Sequence, residues 1–446
     1  MNVQGNLLPI DVDGDGTYEL LHYNGYRTMR VYRQDGRKLW QIDNPKGRVH
    51  RTNVHRDAIA VLDTDGDGTQ EILHCWVDPA TGKRKLVRRD GATGLPLAMS
   101  KPIDGVGAEC QIAVYRMTGS ANPLLFLACN APLASNFTRN FVDGWSYTNV
   151  FDMALKRLWS RTTCNAGHYP KPLDTDNNGT AEAVFVGEYL YDAAGNLLCT
   201  LPGWGTYHVD SMSIGEFDPT LPGAEVLTVG ATGTRLYSAA GCPQRWMLKN
   251  AVIRNPQHTQ AVQFDRKSPP VLFVRQKRSE PLRITYRISA QGVVLSSYSD
   301  LSPTVPVPQE NANLDGAPAA EDLVTWFGQV LDANGARRLT VDWFWKLQTL
   351  LPGEETLGPF DQWASVPVAF DLDHDGVSEL IVWGRERIRS ASWHPCHTLE
   401  SAGRSPAARS GITTRYRCCK RSETTGQGTP TWQGGLAGHR CWLSSS

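Results

Sequence analysis

The chain has 446 residues, with 45 Lys and Arg against 45 Asp and Glu, so its formal charge is zero. That balance excludes the basic excess of a nucleic-acid binder. Hydrophobic residues make up 41%, which excludes wholesale disorder, and no apolar run approaches the roughly 18 residues of a membrane span. The first ten residues carry neither a basic start nor an apolar stretch of signal-peptide length. The chain is therefore expected to be cytoplasmic or to have its true start upstream. Gly 41 and Pro 27 punctuate it often enough to favour many short strands over long helices.

An acidic segment recurs along the chain. It first reads Ile10-Asp11-Val12-Asp13-Gly14-Asp15-Gly16, followed by Thr17-Tyr18-Glu19. Copies follow with Asp63, Asp65, Asp67 and Glu71, then Asp174, Asp176, Asn178 and Glu182, then Asp371, Asp373, Asp375 and Glu379. In all four the Glu comes eight residues after the first Asp. Weaker copies start at Asp218, Asp265 and Asp315, and a unit near residue 113 keeps an apolar strand, Leu124 to Cys129, without the acidic loop. The period is about 50 residues with several strands per unit, which means a β-propeller.

Each unit carries a second turn, such as Gln34-Asp35-Gly36, Asp90-Gly91, Ala193-Ala194-Gly195, Ala239-Ala240-Gly241 or Ala290-Gln291-Gly292. These join strand-like runs as Gly-containing hairpins do. The unit reads strand, acidic loop, strand, hairpin, strand. The expectation is an all-β, eight-bladed propeller over residues 1–389, with seven blades if the unit near 113 is an insertion. Its first and last blades are open to being incomplete. Residues 390–446 carry seven Lys and Arg, two Asp and Glu, and four of the ten Cys. They read as a disordered tail or as a frame-shifted sequence. Cys110 and Cys129 are close enough to bridge adjacent strands.

Carboxylate and amide oxygens at alternate positions, a Gly for the tight turn and a downstream Glu suit a hard cation with six to eight oxygen ligands. A strand follows at once, unlike in an EF-hand, and calcium is the expected ion. Its first reading is structural, fixing one turn per blade. The loops at Asp218, Asp265 and Asp315 are expected to hold their turns by Asx hydrogen bonds.

Four of eleven histidines fall just upstream of these loops: His55 eight residues before Asp63, His168 six before Asp174, His208 ten before Asp218 and His258 seven before Asp265. If the loop follows the innermost strand, all four stand near that strand's start, at the mouth of the central channel. A shared ligand or catalytic site is the reading. Arg56, Tyr169 and Tyr207 adjoin three of them; Arg pairs carboxylates in bidentate fashion and Tyr moves protons.

These registers, with Asn165-Ala166-Gly167-His168, Tyr207-His208-Val209-Asp210 and Gly215-Glu216-Phe217-Asp218-Pro219, resemble the rhamnogalacturonan lyases of polysaccharide lyase family eleven. Those are eight-bladed, calcium-rich propellers. The likeness runs well over residues 8–275. Where the family has a second His the chain has Ser213, and where it has an Arg the chain has His258. The resemblance implies a secreted or periplasmic lyase that cleaves a uronate-containing polymer by β-elimination, acting as a monomer with polysaccharide as its partner. His208 and His168 would be base and acid, His55 a further site residue, Arg56 and Tyr207 their companions. Tyr169, Trp204, Asp210 and His258 would meet substrate. The acidic repeats alone are shared with FG-GAP, integrin-like propellers. A non-catalytic propeller binding glycans or proteins therefore stays open, as does an inactive, truncated lyase relative.

Overall fold

The computed structural model describes residues 6–24, 28–45, 59–103, 110–130, 145–164, 170–176, 178–204, 209–262, 264, 268–276 and 284–298. Beyond these it describes the backbone of 308–312, 322–325, 329–331, 337–340, 368–370, 379–384, 387–393 and 415–418. The described residues form strands and no α-helix, grouped in eight four-stranded sheets that follow chain order. The sheets cover residues 6–43, 59–99, 110–164, 170–200, 211–248, 256–298, 308–340 and 368–418. Seven are antiparallel throughout. In the eighth, Arg415–Cys418 pairs parallel with Arg387–Trp393; no glycine hairpin follows Trp393 to turn the chain straight back.

The first strand of each sheet lies beside the first strand of the next, and Val368–Phe370 lies beside Asn6–Ile10. The first strands thus run in a closed circuit, and the sheets radiate from it as propeller blades do. The unit near 113 is a sheet of its own, and Arg116 stands directly after its first strand, where Asp11, Asp63 and Asp174 stand in theirs. Its carbonyl accepts the Ala181 N–H at 2.8 Å, as the Asp11 carbonyl accepts that of Gln70 at 2.9 Å.

The three-strand unit read from sequence is corrected to four. The second and third strands meet in turns as short as Gly187-Glu188 and Ala231-Thr232. These turns hide inside one apolar stretch such as Ala183 to Tyr191 and give no separate punctuation.

Burial falls from the second strand to the fourth. Glu71 to Cys75, Ala183–Val186 and Glu225–Gly230 are buried at every position, as continuous apolar runs covered on both faces should be. Fourth strands such as Pro96–Met99 and Leu197–Thr200 are mostly exposed. The core lies between sheets. Ile10, Leu21, Leu73, Leu125 and Phe151 join the first three, Phe185, Val226 and Tyr237 join the fourth and fifth, and Leu227, Val229 and Leu272 join the fifth and sixth. Each such side chain contributes roughly 1.5–3 kcal/mol by leaving water.

Tryptophans clasp neighbouring sheets at the rim. Trp40, Trp159 and Trp246 occupy one register position on their fourth strands, opposite Val31, Val150 and Leu236 and just past a bulge. Their Nε1–H groups donate to the carbonyls of Gly91 (2.8 Å), Ala193 (2.9 Å) and Ala290 (2.6 Å) in the next sheet's hairpin. Their rings rest on Gly94, Gly195 and Gly292, whose φ values are +72°, +80° and +79°. A Cβ at those glycines would come within 2.9, 2.6 and 2.9 Å of the ring, so both the turn and the contact require glycine. Cys199 and Cys242 form a disulfide, and Cys129, directly opposite Cys110 in its ladder, is disulfide-bonded.

Candidate functional site

The acidic loops lie between the first and second strands of their sheets. Three sets of carboxylates converge within 4.8 Å: Asp11, Asp13 and Asp15; Asp63, Asp65 and Glu71; Asp174, Asp176 and Glu182. The first Asp builds each turn. Asp11 accepts the N–H groups of Gly14 (2.8 Å) and Gly16 (3.0 Å), Asp63 those of Gly66 and Gly68, and Asp174 those of Asn178 and Gly179. Asp67 turns an oxygen to Thr69 N–H and Oγ1–H, and Asn178 turns its amide oxygen to Thr180 N–H. Asp15 likewise caps Thr17 at 2.6 Å. Asp218 accepts Thr220 N–H and Oγ1–H, forming the Asx turn that its sequence implies, and its second oxygen accepts Gln291 at 2.9 Å. Asp371, Asp373, Asp375, Asp265 and Asp315 lie outside the described residues, and only the backbone of Glu379 lies within them.

The downstream Glu has a second role that its spacing did not reveal. Glu19 accepts Val12 N–H, Glu71 accepts Thr64 N–H and Oγ1–H, Glu182 accepts Thr175 N–H, and Glu225 accepts Phe217 and Asp218 N–H. It ties the loop's entry to its exit. Burial pushes Glu19, Glu71 and Glu225 above the ordinary carboxylate range, against the pull of those N–H groups. Asp13 and Asp15 add to the push on Glu19. Arg33 stands 3.4 Å from Asp13 and 3.9 Å from Glu19. One half-exposed guanidinium against four carboxylates leaves uncompensated negative charge. The donor set, hard oxygens around a tight turn, fits a divalent cation such as calcium.

In sequence the histidine window precedes the first strands, or in the sixth sheet falls on the strand itself, whereas the acidic loops follow them. His55, Arg56, His168, Tyr169, Tyr207 and His208 lie outside the described residues. His258 is on the first strand of the sixth sheet, half-buried and paired in register with the buried Arg275. Next to it, Thr259 N–H donates to Ser211 Oγ at 3.2 Å, and Thr259 Oγ1 lies 3.5 Å from Ser213 Oγ. Ser213 and the strand that carries His258 therefore meet between the fifth and sixth sheets. Asp210 stands just before Ser211, half-buried, its N–H donated to the Val229 carbonyl.

Trp204 is buried, 1% exposed. Its ring lies under the Arg235 guanidinium at 4.3 Å, inside the fold rather than on its surface. Arg235 also donates to the Gly203 carbonyl (2.9 Å) and to Thr232 Oγ1 (2.7 Å), while the Tyr237 hydroxyl donates to the Pro202 carbonyl (2.8 Å). Burial pushes the Tyr237 hydroxyl up to about 12. Two buried polar side chains thus anchor the connector that leads to Tyr207 and His208. A charged residue inside the otherwise uncharged strand Gly233–Ser238 was the sequence signal for this anchor.

No family model matches the chain. Its sequence is 25% identical over 280 residues to the rhamnogalacturonan exolyase YesX of Bacillus subtilis, covering 51% of this chain and 44% of that protein. It is 26% identical over 270 residues to the endolyase YesW of the same organism, covering 49% and 42%. The relatives it matches are rhamnogalacturonan lyases. The aligned segments span less than half the length of either relative. The solved structure of YesX superposes with a TM-score of 0.62 at 19% identity, over 86% of this chain and 70% of that one. The Bacillus licheniformis rhamnogalacturonan lyase superposes with 0.62 at 18%. At those identities the superpositions show a shared fold. Among the described residues no helix is long and apolar enough to cross a membrane.

Proposed function

We propose that the chain is a polysaccharide lyase that cleaves a rhamnogalacturonan I-like polymer by β-elimination, on an eight-bladed propeller whose acidic loops hold calcium. The match to an exolyase and an endolyase acting on rhamnogalacturonan carries this reading. His55, His168 and His208, just upstream of first strands in sequence, and His258, on one, support it, since an integrin-like binding propeller needs no such set.

In the reaction a base takes the proton at C5 of a uronate unit. The electron pair forms the C4–C5 double bond, the bond from C4 to the glycosidic oxygen breaks, and an acid protonates that oxygen. His208 and His168 are proposed as base and acid, with Tyr207 and His55 beside them. The carboxylate of the uronate must be neutralised for C5 to lose its proton. A first strand of four or five residues is roughly 13–17 Å long at 3.3 Å per residue and would separate the acidic loops that follow it from residues that precede it in sequence. Arg56 rather than a loop cation is therefore the proposed carboxylate partner. Calcium held by the acidic carboxylates would fix the turns between first and second strands. Tyr169, Asp210 and His258 are proposed to meet the sugar chain, and Trp204 to hold the connector from below. The disulfide between Cys199 and Cys242 suits the oxidising surroundings of a secreted protein.

The test is an ultraviolet assay for unsaturated uronide on rhamnogalacturonan I, ulvan and homogalacturonan, with calcium and with chelator. Absorbance is expected to rise on rhamnogalacturonan I. No rise on any polymer, with calcium still raising the Tm, would overturn the lyase reading and leave a binding propeller.

A further inference from the structure

The fourth strand at the joint between the fourth and fifth sheets, Leu197–Thr200, has no tryptophan. Its clasp position, opposite Leu190 and just past the bulge, is Cys199. The neighbouring hairpin closes with Ser238 N–H on the Pro243 carbonyl, as the second sheet's closes with Asp90 N–H on the Leu95 carbonyl. Counted from those residues, Cys242 falls where Gly94 falls. It keeps the left-handed backbone of that position, φ 62° against +72°. At three joints the clasp is a Trp ring on a glycine; between the second and third sheets Ala98 holds the clasp position and Leu155, φ 61°, the hairpin position; here both partners are cysteine. They are bonded to each other with their Cα atoms 6.1 Å apart. The ring would have collided with a Cβ at the glycine, whereas a disulfide needs one on each side.

We propose that Cys199–Cys242 is a covalent replacement for the tryptophan clasp and makes this joint a redox-sensitive lock. The proposal stands apart from the lyase reading. A dithiol delivers two electrons and two protons: the S–S bond breaks, two thiols form and the dithiol closes to its own disulfide. Two thiols supply neither the ring contact nor the indole hydrogen bond, so the reduced joint holds less than its counterparts. Cys199 is half-buried on an outer strand, within reach of a small reductant. The connector 201–204, anchored by Tyr237 and Arg235, runs between the same two sheets.

The test is amide hydrogen exchange on the whole chain with and without dithiothreitol. Exchange at 197–200 and 239–248 is expected to speed at least tenfold on reduction. Exchange around Trp40, Trp159 and Trp246 is expected to stay unchanged, and the Tm to fall by roughly 5 °C. Dithiothreitol also reduces the disulfide of Cys129, so the Cys199→Ser/Cys242→Ser variant is the control. It should exchange fast at this joint with or without reductant. Cys199→Trp/Cys242→Gly, which installs the clasp of the three tryptophan joints, should regain protection and ignore reductant. Unchanged exchange on reduction of the native chain would overturn the proposal, whether or not the variants fold. So would an equal loss at all four joints, or a reductant response at this joint in the double-serine variant.

Discussion

His22 and His74 stand three residues after Glu19 and Glu71, on the second strands of the first two sheets, and both are buried. Burial, with Arg30 nearby, holds His22 down to about 4; burial, with Arg89 nearby, holds His74 down to about 3. His74 is neutral, its Nε2 accepting the Arg89 Nε–H at 2.8 Å and its Nδ1 bonded to the Cys75 carbonyl at 2.9 Å. In the unfolded chain both titrate near the ordinary value of about 6.5. Below that pH the unfolded state binds more protons, so stability is lost as pH falls toward 4 and 3. The Tm is expected to drop between pH 7 and 5, and His74→Gln to flatten that slope; parallel slopes would contradict the account. Glu71 separates two roles by substitution. Glu71→Gln keeps an acceptor for Thr64 N–H and should melt near the native chain in chelator, with a smaller gain on adding calcium. Glu71→Ala leaves that N–H without its acceptor and should cost about 1–3 kcal/mol under both conditions. The acidic spacing made Glu71 legible as a candidate ligand. Its bond to Thr64 was not legible, because it depends on the strand pairing Leu62↔Glu71, which spacing alone does not supply.

At the scale of the element, the tryptophan clasp joins three pairs of neighbouring blades. Trp159→Phe removes the donor to Ala193 and should cost about 1 kcal/mol; Trp159→Ala also opens a cavity against Phe126 and Tyr191 and should cost about 3 kcal/mol. Gly195→Ala should destabilise comparably, because φ is +80° and the new Cβ would stand 2.6 Å from the ring. Urea unfolding of the three variants measures these losses; unchanged midpoints would remove the clasp from the account. The Gly hairpins were legible from their turn residues. The clasp was not, since Trp40 and Gly91 are 51 residues apart and no local period links a rim residue to the next repeat. The same limit applies to Cys199 and Cys242, 43 residues apart.

At the scale of the molecule, the repeat fixed the architecture. Four acidic copies and their weaker relatives mark one unit each, and the closed circuit of first strands follows from stacking such units. The turn between second and third strands left no mark, which is why three strands per unit were read where four exist. Trp204 was read as a sugar platform because an aromatic four residues before His208 looks the same in sequence whether it faces solvent or Arg235. Calcium removal should lower the Tm of the whole ring, with Asp63→Asn and Asp174→Asn each removing part of the effect; a chelator-insensitive melt would contradict the loop assignment. The most direct test of the central claim is a comparison of His208→Ala with the native chain on rhamnogalacturonan I at matched calcium. The account predicts an equal Tm, an equal calcium response and a loss of unsaturated-uronide formation of at least a hundredfold. Full turnover in His208→Ala would contradict it.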